Sequence, residues 1–117
     1  MRDLQIGEQT HKFRFTVRDI LLFESEVGEM NKLQEIIGES ISKSIDVAAD
    51  ILRIGLNSAN RSLGKAEISK EQALDIMDEG GLESMEAIFN AFGEEAALSG
   101  GNAKKTGGNA KVTKITG

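Results

Sequence analysis

Apolar and polar positions alternate over the first sixteen residues. Leu4 and Ile6 stand among polar neighbours, Gly7, Glu8, Gln9 and Thr10 intervene, and Phe13 and Phe15 then alternate with Lys12, Arg14 and Thr16. A period of two on both sides of a Gly-containing connection predicts a small β-hairpin. An isolated hairpin is marginal in water, so this one is expected to lie on the elements that follow.

At Thr16 the period changes to three or four. Thr16 is placed as an N-cap with Asp19 in the first turn, and Val17, Ile20, Leu21, Phe23 and Val27 form the apolar stripe of a helix that stops at Gly28. Met30, Leu33, Ile36 and Ile37 make a second, short stripe ending at Gly38. From about Ser44 a longer helix follows, with Ile45, Ala48, Ile51, Leu52, Leu56, Ala59 and Leu63 on its apolar side, Arg53, Asn57 and Asn60 on other faces, and Gly64 as its end. Gly55 inside that helix costs roughly 1 kcal/mol relative to Ala, a cost that points to a close approach by another backbone.

Ser69-Lys70-Glu71-Gln72 matches a capping box and opens a helix with Ala73, Leu74 and Met77 on its apolar face, ending near Gly80-Gly81. The last helix is predicted from Leu82 to Leu98. Leu82, Met85, Ile88, Phe89, Phe92 and Ala96 form one side, and Glu83, Glu86, Glu94 and Glu95 make the other acidic. The expectation is a mainly α domain over 1–98, of four to five helices with an N-terminal hairpin, and a flexible Gly/Lys-rich tail over 99–117. In that tail the pentapeptide Gly-Gly-Asn-Ala-Lys occurs twice, and only Val112 and Ile115 are large and apolar, so ordering it would cost entropy with little burial in return.

Charge sharpens this division. The net charge is −5, but residues 100–117 hold Lys104, Lys105, Lys111 and Lys114 and no acid, while the first 99 carry all 19 acidic residues and 10 of the 14 basic ones, a balance of −9. An acidic body argues against a nucleic-acid surface and favours a partner with basic or mixed charge. The tail lysines read either as solubilising charge or as a weak electrostatic attachment to an acidic surface, this chain's own body included. With five Phe and no Trp or Tyr, the core is expected to be aliphatic. Without Cys there is no disulfide, thiolate nucleophile or Cys-based zinc site, and no run of about 18 apolar residues or signal-type N-terminus occurs, which gives the expectation of a soluble, intracellular protein without membrane contact.

Candidate chemistry is sparse. The single histidine, His11, falls in the hairpin with no nucleophile arranged beside it, and reads as a surface or hairpin-edge residue. Neither Gly/Lys stretch has the context of a phosphate loop. Asp75, Glu79, Gly80, Leu82 and Glu86 fall at positions 1, 5, 6, 8 and 12 of a calcium loop, but Met77 stands at position 3, where an oxygen ligand is needed; two helices joined by Gly80-Gly81 is the simpler account. No enzyme activity, metal or cofactor is expected. For an aromatic-poor chain the last helix is rich in large apolar side chains, so some of Leu82, Met85, Phe89 and Phe92 are candidates to line a surface for a partner helix; the alternative is that the stripe is closed inside.

The order LQIGEQTHKFRF, TVRDILLFESEVG, a long middle helix with the Gly-Leu step of IGLNSA, the capped SKEQALDIMDEGG and the final ESMEAIFNAF resembles the tail assembly chaperones of long-tailed phages over about residues 4 to 98. The likeness is one of pattern and length. It implies a non-enzymatic protein of the host cytoplasm that holds the long helical tape-measure protein in solution, helps recruit tail-tube subunits, and is absent from the finished virion. It also implies a longer product made by ribosomal frameshifting, for which codons of Ala103-Lys104-Lys105 could supply a slippery run. The rival readings are a structural phage protein, such as a head-tail connector or tube component, and a small helical regulator of antitoxin type, which would need a basic DNA-contacting helix.

Overall fold

The computed structural model describes residues 1–99. The tail lysines Lys104, Lys105, Lys111 and Lys114 and the repeated pentapeptide lie outside the described residues.

The alternating segment forms the hairpin. Strand β1 (Arg2–Ile6) pairs antiparallel with β2 (Gln9–Phe13), Ile6 lying opposite Gln9, so that Gly7 and Glu8 are a two-residue loop. Gly7 adopts φ +60°, the left-handed backbone such loops require. Leu4, Ile6 and Phe13 point inward and are fully buried. Beyond β2 the chain is stitched to the long helix: the Arg14 N–H donates to the Gly55 carbonyl at 3.2 Å, and the Arg14 guanidinium donates to the Ser58 hydroxyl and carbonyl at 3.0 and 2.8 Å.

Helix α1 (Val17–Glu26) is opened by a reciprocal capping box. The Thr16 N–H donates to Asp19 Oδ2 at 2.8 Å, and Thr16 Oγ1 accepts the Asp19 N–H at 3.4 Å. A 3-10 turn over Met30–Lys32 leads into the short α2 (Leu33–Ile37). Helix α3 (Ile41–Leu63) starts earlier than its apolar stripe, because Ser40 caps it by accepting the Lys43 N–H at 3.1 Å. It runs through the middle of the molecule and packs against β2, α1, α2 and the two helices that follow. Helix α4 (Lys70–Gly80) begins at the Ser69–Gln72 capping box, and α5 (Glu83–Leu98) returns across α3 and β1.

The core is not purely aliphatic, contrary to expectation from the composition. Phe15 stands at the centre of a cluster of four phenylalanines, its ring centroid 4.8 Å from Phe92, 6.1 Å from Phe13 and 6.4 Å from Phe23, while Phe23 and Phe92 are 5.2 Å apart. One ring each from β2, the β2–α1 connection, α1 and α5 thereby joins hairpin and helices. Two of these pairs, Phe15–Phe23 and Phe15–Phe92, are edge-to-face, an arrangement that contributes about 0.5–1.5 kcal/mol each beyond the area buried.

Candidate functional site

Helix α5 divides its apolar residues between core and surface. Ile88, Ala91, Phe92 and Ala96 are buried, and Met85 and Phe89 are half-buried at the edges of that face. Leu82 precedes the helix, in the two-residue connection from α4, and is 66% exposed. The four candidate partner-binding residues are therefore not brought into one surface. Phe89 and Phe92 line a groove of about 360 Å3 against Met30, Leu33 and Ile37 of the 3-10 turn and α2. Leu82 and Met85 line another, of about 210 Å3, with Ile45 of α3 and Leu74, Met77 and Asp78 of α4. Phe92 is only 3% exposed, so it forms the floor of its groove rather than a free contact.

A third apolar surface falls where the sequence reading placed core. Val17 and Leu21 of α1 are 68% and 72% exposed, beside a shallow groove of about 630 Å3 bordered by Arg18, Leu22, Ser25 and Arg61. The signal was present: Asp19 and Phe23, four apart, both face inward, and Leu21 stands about 200° around the helix from Phe23.

Three polar residues expected on solvated faces are buried. Asp19 accepts from the Thr16 backbone and hydroxyl and from the Arg61 guanidinium at 3.2 Å. Glu95, read as part of an acidic outer face, instead turns toward the hairpin, accepting from Arg2 Nε at 2.9 Å and from the Phe15 N–H at 3.4 Å, with the N-terminal ammonium at 3.5 Å. Asn57 holds the loop before α4 by donating to the Ile68 carbonyl at 2.9 Å and accepting the Ile68 N–H at 2.6 Å. Each of these three side chains is thus matched, which avoids the roughly 1–3 kcal/mol that an unsatisfied one costs.

His11 is half-buried on the inner side of β2, and its Nε2 is buried with no hydrogen-bond partner among the described residues; Thr10, Lys12, Asn60, Leu63 and Lys65 surround the cavity beside it. Lys70 Nζ bridges Asp46 at 2.5 Å and Asp50 at 3.3 Å. Partial burial pulls the pKa of Lys70 down, but the hydrogen bonds and charges of Asp46 and Asp50 outweigh it and leave that pKa raised. The calcium-loop pattern is not a loop: Asp75, Glu79 and Gly80 belong to α4 and Glu86 to α5, and no group of three His, Cys, Asp or Glu converges on one point among the described residues. None of the described helices is long and apolar enough to cross a membrane.

What the two α5 grooves offer is non-covalent: open apolar seams between helices, where an apolar helix stripe would bury area at about 25 cal/mol per Å2. No known family, curated protein or solved structure matches the chain.

Proposed function

We propose that this protein is a phage tail assembly chaperone that holds amphipathic segments of the tape-measure protein and helps recruit tail-tube subunits to it. The observation that carries this reading is α5, which keeps Ile88 and Phe92 in the core yet leaves an open apolar groove along each flank. The resemblance in the order and lengths of the elements supports the same reading, as does a body whose −9 charge keeps exposed apolar surface from driving self-aggregation. Reversible burial of a client's apolar stripe needs little more than such seams, and release follows when the client packs into the growing tail.

The test is co-expression with the tape-measure protein encoded beside it. The client is expected to move from the insoluble to the soluble fraction and to co-purify with the chaperone; unchanged solubility defeats the proposal. Mass spectrometry of purified virions separates the rival structural role, because a chaperone is missing from the particle and a connector or tube component is present.

A further inference from the structure

We propose that the groove between α2 and α5 takes a basic amphipathic helix, apolar along the seam and carrying Lys or Arg on its shoulders. This rests on the reading above that the α5 grooves hold helical segments of a partner, and it assigns the chemistry of the segment and the groove that takes it. The lining side chains, among them Leu33, Ile37, Phe89 and Ala97, are uncharged, with Gln34 the one polar side chain. The surroundings are negative. At the Met30 end, Glu24 is fixed in place by accepting the Met30 N–H at 3.0 Å. Ala96 and Ala97 belong to the last turn of α5, the negative end of that helix dipole, and this turn has no basic residue of its own. Along the seam, exposed Glu86 shares the α5 stripe of Phe89 and Gly93 through its i, i+3 and i+7 spacing. Against these stands one lysine, Lys32, beside the lining positions in sequence.

The other apolar surfaces fit such a segment less well. The α1 groove is bordered by Arg18, which repels a basic helix, and its one acid, Asp19, is buried and already paired with Arg61. The α4-side groove also has an acid at its rim, Asp78, but it is smaller and lacks aromatic side chains.

Two synthetic sixteen-residue helical peptides with the same Leu stripe, one with Lys and the other with Glu at its remaining charged positions, test this by fluorescence anisotropy on the full chain. The Lys peptide is expected to bind at least about tenfold tighter at low salt, with the gap closing near about 1 M salt, where the screening length is about 3 Å. Ala97→Lys and Glu86→Lys alter exposed positions and are expected to weaken Lys-peptide binding several-fold without lowering the melting temperature. Leu82→Lys, which adds the same charge at the other groove, is expected to leave that binding unchanged.

Equal affinity for the two peptides overturns the proposal. So does weakening by Leu82→Lys but not by Ala97→Lys, which would move the basic segment to the α4 side. A full chain carrying Lys111→Glu and Lys114→Glu that binds the Lys peptide tenfold tighter also overturns it, since the chain's own C-terminal lysines would then be the occupant. Because neither peptide comes from the tape-measure protein, failure here leaves the chaperone reading standing. Success here with no solubilisation of the client sinks that reading alone.

Discussion

Gly55 shows how one residue ties hairpin to helix. Its carbonyl accepts the Arg14 N–H, and a Cβ added to it would fall within the Phe13 ring. The sequence reading of a close backbone approach was therefore right about the approach, while the ring that fills the space was not legible, because nothing local says which aromatic arrives. Gly55→Ala is expected to destabilise the fold by about 1–3 kcal/mol, since overpacking outweighs the gain in helix propensity. Urea unfolding measures it; an unchanged midpoint would mean that Phe13 can step aside at no cost. Glu95 and Asn57 illustrate the opposite failure. Charge and polarity placed them outside, and only the partners Arg2, Phe15 and Ile68, up to 93 residues away, explain why they are inside.

The elements themselves were legible wherever a local signal closes on itself. The Thr16 and Ser69 capping boxes start α1 and α4, and the Gly7 loop sets the hairpin register. In helix α1 the period itself separates the faces: Val17 and Leu21, four apart, share an exposed face, and Leu21 stands about 200° from buried Phe23. Between elements, Lys70 clasps α4 to Asp46 and Asp50 of α3. Its raised pKa means that the folded chain binds a proton more tightly than the unfolded one. The clasp therefore contributes fully below the unfolded lysine pKa of about 10.4 and is lost as pH rises through the higher folded value. Stability should fall over that alkaline window, and Lys70→Met should flatten the slope. A variant whose pH profile overlays the parent's would show that the clasp contributes nothing. The effect is small, because the Lys70 side chain is 37% exposed and screened by solvent.

At the scale of the whole molecule, α5 both closes the core and borders the two grooves beside it. Phe92 and Leu82 divide those tasks. Phe92 touches Phe15 and Phe23, so Phe92→Ala removes an aromatic from the centre and should cost about 3–5 kcal/mol, a large part of the stability of a domain this size. Leu82, two-thirds exposed, should change stability by less than about 0.5 kcal/mol when replaced by Ser. Side-by-side melting and co-expression separate structure from function. If the α4-side groove holds the client, Leu82→Ser lowers the soluble yield of the tape-measure protein at an unchanged melting temperature. Phe92→Ala lowers yield and melting temperature together, whichever groove is used. A Leu82→Ser chain that retains full yield would confine client binding to the α2 side, where Phe89 borders the seam and Ala97 is exposed.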